Sequence, residues 1–427
     1  MTPRNPVSAI STNPASSTAV RRSPSSVKNG GGLGAAILTV FLATLAHAAP
    51  REANGYTRYE LLAPGSAKFR IVYDITAVTP GSTEFFNPIR KGSIATDERV
   101  TDLASGAPLK FEAVSDEAAK AAGWSDADAS MDYIEVHLAR PVPADGGEER
   151  IQIEKTYADP KSYRIEGDQI VFDRSLGIKK NAVVLPAGYG LVSCNYPAQV
   201  LREADGRLKI SILNTTPAEA PLVIRAKKVD VAAGASSVQS KLNDRAVQTR
   251  DIVYFLQPPE THAFDLYHDY TETKEGVADY VNVVRIGSAA SHPSARNLDT
   301  GDAIPARILK GAEITAAGIH EEGLTVTPDA EVVVFPFKPL APGQSIRLRM
   351  SETYTDPERY KLLGDELVFD RTFGRPANAV VLPAGWTLTN STAPATVTTL
   401  EDGRTRLDFL NPRTDEVEVL ITARRSR

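Results

Sequence analysis

Acidic, arginine and aromatic side chains recur along this chain at spacings that suggest a few definite kinds of chemistry. The run Asp126-Ala127-Asp128-Ala129-Ser130-Met131-Asp132 sets oxygen-bearing side chains at alternate positions. Such spacing can converge several ligands on a calcium ion, which takes roughly six to eight oxygens. Asp126, Asp128 and Asp132 are the candidate ligands, and calcium is the one cofactor the sequence invites. Against it, Met131 stands where an EF-hand loop needs glycine, and His137 where it needs the closing glutamate. A solvated acidic loop is the plainer expectation.

Phe172-Asp173-Arg174 and Phe369-Asp370-Arg371, followed by Gly177 and Gly374, are the most distinctive polar features. Neighbours on a strand point to opposite faces, so Asp173 and Arg174, like Asp370 and Arg371, each pair elsewhere. Their functional reading is ligand binding; their structural one is a carboxylate accepting turn amides and an arginine covering a sheet edge. Asp159 with Asp173, or Asp356 with Asp370, would serve a glycosidase-like hydrolase if both faced one cleft about 5 to 10 Å apart. Tyr189 and Trp386 each follow a Pro-Ala-Gly turn. There an aromatic ring either stacks on a sugar or caps the open end of a core. His262 and His268 with Asp265 and Asp269 suggest a metal site, but strand alternation puts the histidines on one face and the aspartates on the other. Cys194 is the only cysteine, so no intrachain disulfide can form, and Ser391 occupies the matching place. There is no Gly-x-Ser-x-Gly elbow, phosphate loop or dinucleotide fingerprint.

These residues sit on a duplicated scaffold. YADPKSYRIEGDQIVFDRSLGIKKNAVVLPAG begins at Tyr157 and YTDPERYKLLGDELVFDRTFGRPANAVVLPAG at Tyr354. The match runs without a gap to Lys228 and Arg425, with roughly 30 of 72 paired positions identical. Upstream, RYELLAPGSAKFRIVYDIT from Arg58 matches VYFLQPPETHAFDLYHDYT from Val253 at an offset about two residues shorter. The copies occupy 56–228 and 250–427, joined over 229–249 by a small, polar linker containing AAGASSVQS. Nothing unpaired is long enough for a separate catalytic domain.

Strand signals dominate both copies. Lys68–Ala77 alternates apolar and polar, and similar short runs lie at Tyr133–Leu138, Glu149–Tyr157, Gln169–Asp173, Ala182–Leu185, Arg207–Leu213 and Leu222–Ala226. Asp205-Gly206 and Asp402-Gly403 are hairpin dipeptides between β-rich runs. Asp116–Ala122, capped by Ser115 and stopped at Gly123, is the one helix the sequence predicts. The fold class is therefore all-β: two tandem antiparallel β-sandwich modules.

Residues 1–48 read as a cleaved signal peptide: four cations and no acid, an apolar run from Leu33 to Leu45, then Ala46-His47-Ala48. Its style suggests a bacterial protein, periplasmic or secreted. Removing it moves the net charge from −5 to about −9. An acidic surface with few aromatics argues against nucleic acid and anionic membranes, and no second apolar span follows the signal.

One resemblance adds to this. A strand ending in Pro141-Val142-Pro143 or Pro339-Leu340-Ala341-Pro342-Gly343, then a strand closing in Thr156-Tyr157 or Thr353-Tyr354, resembles the non-catalytic β-sandwich domains that precede gluzincin aminopeptidase domains. It covers about thirty residues per copy, and His-Glu-x-x-His is absent. The sequence thus favours an exported non-enzymatic binding or scaffold protein recognising a glycan, a peptide or a partner protein. The alternative is the carboxylate hydrolase, with its cleft between the modules.

Overall fold

The computed structural model describes residues 52–426 apart from 145, 230–243, 248–249, 322–323 and 414. The signal-peptide reading of 1–48 and most of the linker assignment fall outside the described residues. The chain is all-β, about 55% strand and 4% helix.

Each repeat contains one large sheet, one of four strands and one of three. In the first repeat the large sheet runs Gln199–Arg202, Leu208–Leu213, Lys180–Val184, Glu52–Leu61, Lys68–Ala77, Glu149–Ala158, Ile94–Asp102. In the second, Ala395–Thr399, Thr405–Leu410, Ala377–Val381, Arg250–Leu256, Ala263–Glu272, Ile346–Thr355 and Ala289–Asn297 follow the same order, with Ala303–Ile304 added at the edge. One pair in each large sheet is parallel: Glu52–Leu61 with Lys180–Val184, and Arg250–Leu256 with Ala377–Val381. The other strand pairs are antiparallel, as expected of antiparallel sandwiches, and these two are the exceptions. More than a hundred residues separate these partners, so no hairpin dictates their direction.

The strand readings hold with small shifts, and Lys68–Ala77 is observed with those bounds. The helix is Asp116–Ala121, with the Ser115 hydroxyl accepting from the Ala118 amide at 3.3 Å. A counterpart at Ala312–Ala316 has Gly311 at its N-cap and no capping side chain, which removed its sequence signal. Gly206 and Gly403 take φ of +85° and +81°, the left-handed conformation the two Asp-Gly turns demand.

In each repeat the inner face of the large sheet packs on the two smaller sheets around aromatic rings. Tyr59, Phe69, Tyr157 and Phe172 form one cluster, and Tyr254, Phe264, Tyr354 and Phe369 its repeat equivalent. Burying each such ring contributes about 2–3 kcal/mol. No strand of one repeat pairs with a strand of the other among the described residues, yet they belong to one compact unit. Arg150 explains part of that union. It is buried, donates to both Asp299 carboxylate oxygens at 2.6 and 3.0 Å, and donates to Ser345 Oγ at 3.1 Å. Its repeat equivalent, Arg347, reaches back to Glu148 at 3.5 Å. Arg245 adds donations to the Asn411 and Gly374 carbonyls.

Candidate functional site

The Phe-Asp-Arg segments resolve first. Arg174 donates to Asp159 at 3.3 Å and to Ser162 Oγ at 3.2 Å, and its guanidinium lies 5.4–5.9 Å from the Tyr157, Tyr59 and Phe69 rings. Arg371 repeats this, 3.0 Å from Asp356 and over Phe264 and Tyr254. Asp159 also accepts from the Lys161 and Ser162 amides and the Ser162 hydroxyl. Burial would raise its pKa, but those bonds outweigh it and hold the carboxyl below the usual range. Arginine therefore covers aromatic rings of the core rather than a sheet edge. The carboxylate that caps the turn is that of Asp159 or Asp356, not of the Phe-Asp-Arg segment. Asp173 points outward to Arg164 at 3.1 Å, and Asp370 is exposed. Neither acid pair presents two carboxylates to a common cleft.

Tyr189 is partly buried against the first core. Trp386 is only 5% exposed and has the Arg425 guanidinium 4.9 Å from its ring centre, so little of it is open to a sugar. Asp126, Asp128 and Asp132 are exposed and go separate ways. Asp126 accepts from Ser125 Oγ, Asp128 from the Ser130 amide at 2.7 Å, and Asp132 faces Lys91 at 3.9 Å. Hydrogen bonding to its own turn holds the Asp128 carboxyl below its ordinary pKa. The three carboxylates of this loop thus engage local partners rather than one another. Among the described residues, ligand-type atoms converge at Glu84, Glu135 and His137 instead.

His262 is not on the strand at all. It ends a short 3₁₀ turn with φ +56° and its Nδ1 lies 2.9 Å from the Tyr360 carbonyl oxygen. Burial, reinforced by Arg250, pushes His268 down to about 3, so it stays neutral. Cys194 is half-buried, with its thiol donating to the Tyr196 carbonyl, and burial pushes its pKa up.

A cavity of about 580 Å³ lies where the repeats meet. Its floor is the outer face of the second repeat's large sheet: Asp251, Val253, Tyr267, Asp269, Arg349, Ala379, Arg406 and Asp408. The first repeat contributes Lys179, Lys180, Asn214 and Thr215. Most of the charges are matched. Arg349 donates twice to Asp269 at 2.7 Å and lies 4.4 Å over Tyr267, Arg406 clasps Asp408, and Arg347 and Lys180 reach Asp251. Burial pushes Lys180 down and Glu148 up in pKa. Lys179 is exposed, and its ammonium makes no hydrogen bond or ion pair to the described residues.

The outer face of this sheet is where the copies part company. Val253, Ala379, Val381, Phe255, Tyr267 and Leu400 form an apolar cluster on the outer face, with Arg404 over Phe255 at 5.8 Å. Strand register places Arg58 opposite Val72 in the first repeat, where Val253 faces Tyr267 in the second. Glu60 takes the place of Phe255 and Glu203 that of Leu400. Ion pairs cover that face: Arg58 with Glu60 and Glu203, Arg70 with Glu60 and Glu154, and Lys209 with Glu203 and Asp244. Sequence reasoning passed over Phe255 and Tyr267 because each fits an ordinary alternating strand. The signal was there in the mismatch with Glu60 and Val72 across the repeat.

With this geometry in view, the chain can be set beside known proteins. No protein-family model and no curated protein sequence matches it. Among solved structures it is similar to an M1 zinc metallopeptidase from Deinococcus radiodurans, at 10% identity and a TM-score of 0.29, covering 42% of each chain. It is similar to a putative protease from Parabacteroides distasonis at 10% identity and TM-score 0.24, covering 88% of this chain and 93% of that one. A collagen adhesin from S. aureus matches at 7% identity and TM-score 0.16, covering 76% and 86%. The chain spans under half the length of the Deinococcus peptidase. These are likenesses of β-sandwich architecture alone.

Proposed function

We propose that this chain is an exported, non-enzymatic binding protein that holds a peptide segment of a partner in the cleft between its repeats. The observation carrying this reading is the asymmetry of the two outer sheet faces. At equivalent positions the first repeat neutralises itself with ion pairs, while the second sets Phe255 and Tyr267 under arginines beside a cavity of about 580 Å³. Tyrosine and arginine on a partly desolvated floor are the residue types that carry binding energy. The unmatched Lys179 favours an acidic side chain or C-terminal carboxylate on the peptide. The carboxylates of the cleft are engaged by arginines and lysines, which disfavours the hydrolase alternative. Export to the periplasm or medium follows from the signal-like residues 1–48.

The test is selection of a displayed random peptide library on the full mature chain and on a Tyr267→Ala/Lys179→Glu variant. A consensus containing an acidic residue, enriched on the parent and lost on the variant, supports the reading. Equal enrichment on both, no enrichment, or selective retention of a glycan by the parent would each overturn it. Mass measurement of the secreted chain checks cleavage after Ala48.

A further inference from the structure

We propose that the outer face of the three-stranded sheet in the first repeat is a zinc site, with Glu84, Glu135 and His137 as ligands and Glu112 completing the set. Glu135 and His137 lie two apart on the central strand, Met131–His137, so both project to one face. Register then brings one residue from each flanking strand alongside: Glu84 is directly opposite His137, and Glu112 directly opposite Glu135. Ligand atoms of Glu84, Glu135 and His137 lie within 4.8 Å of one another, and His137 Nε2 is 3.7 Å from the Glu112 carboxylate. Two ligands from a middle strand and one from each neighbour form a cradle suited to four-coordinate zinc, which accepts imidazole and carboxylate together.

A second observation points to a cation. Like charges facing each other across a strand pair destabilise a sheet. Here three carboxylates share one face, and no lysine or arginine of the described residues pairs with Glu84, Glu112 or Glu135. On the Arg58–Glu60–Glu203 face of the same repeat, by contrast, the acids are matched. The neighbouring end of the same face is closed by the helix Asp116–Ala121 and Trp124, which cover Phe86 and Tyr133. That cover stops short of the cluster, and Glu112 and His137 are 64% and 46% exposed. The second repeat is a built-in control: equivalent strands place Asp279 opposite Pro336 and Arg307 opposite Val334, and have no ligand set.

Calorimetric titration of zinc chloride into the chelator-stripped full chain tests this. The expected result is one saturable site per chain, weakened at least about tenfold in Glu135→Gln/His137→Ala. The metal-free variant should melt no lower than the metal-free parent, since the Glu135→Gln change removes one of the facing charges. Cobalt(II) titration should give visible absorption bands that disappear in the same variant. The assignment is overturned by absence of saturable zinc binding, by affinity unchanged in that variant, or by loss of the site on Asp126→Asn/Asp128→Asn instead.

Discussion

Two buried pockets at the same place in the two repeats hold opposite charges. In the first, Lys155 donates to Asn87 Oδ1 and lies 5.7 Å from the Tyr157 ring. In the second, Glu352 accepts from Asn282 Nδ2 at 2.9 Å, and Asn282 also donates to the Tyr354 hydroxyl at 3.0 Å. Asparagine and tyrosine are retained while lysine becomes glutamate, because the amide group offers both an acceptor and donors. The outer sheet faces diverge in parallel, ion pairs in one copy and aromatics in the other. By contrast both cores keep an arginine paired with a buried aspartate and set against aromatic rings. Duplication has kept the interior that folds each sandwich and released the faces and pockets that do not.

The severest way to break the comparison is to attack what is shared. Arg371→Ala leaves the buried Asp356 without its cation, at an expected cost of about 3–5 kcal/mol, whereas after Arg174→Ala Asp159 keeps Arg90 at 3.5 Å and about 2–3 kcal/mol is expected. Urea unfolding of both variants reads this ordering, and a larger loss in Arg174→Ala than in Arg371→Ala would overturn it. Arg150→Ala strips Asp299 of its bidentate partner between the repeats. Because the Arg347 amide still donates to Asp299, about 2–3 kcal/mol is expected, and calorimetry should then resolve two transitions in place of one.

The inverted pockets predict inverted pH dependence. Burial pushes Glu352 up to about 7 from 4.5, so the folded chain holds a proton the unfolded chain has released between those values, and stability falls as pH rises through them. Glu352→Gln should therefore add on the order of 2–3 kcal/mol above pH 7 and little at pH 4. Burial, with Arg174 adding repulsion, depresses Lys155 to about 8 from 10.5. Its charge is a burden below pH 8 that is relieved as pH climbs to 10.5, so Lys155→Met should stabilise below pH 8 and lose that gain above. Chemical denaturation across pH reads both, and slopes of the same sign would refute the comparison. The buried Glu149, which burial raises to about 8, contributes a background slope that both variants retain.

The smallest effects belong to the faces. Glu60→Gln should cost about 0.5 kcal/mol and less at high salt. Tyr267→Ala should cost about 1 kcal/mol in melting experiments while abolishing peptide selection.

Much of the fold was legible because its signals are local. Alternation marked Lys68–Ala77, Asp-Gly marked the hairpins, and Ser115 marked a helix whose uncapped partner at Ala312–Ala316 left no such trace. The parallel strand pairs were not legible, since direction between distant strands is settled by packing. For the site residues, Asp-Arg alternation showed that each would seek its own partner. Nothing in the sequence said that Arg174 would find Asp159 and three aromatic rings. Tyr189 and Trp386 stood out by type, yet it is Tyr267 that lines the cavity, with Phe255 beside it on the same sheet face.

By itself the sequence determined the duplication, the all-β class and the absence of recognised catalytic motifs, because these follow from period, propensity and composition. Tertiary structure decided which charges are matched, which aromatics are left beside a cavity, and that Glu84, Glu112, Glu135 and His137 meet on one face. Those outcomes depend on strand register and on how two sandwiches pack, and both are set by contacts between residues tens to hundreds of positions apart.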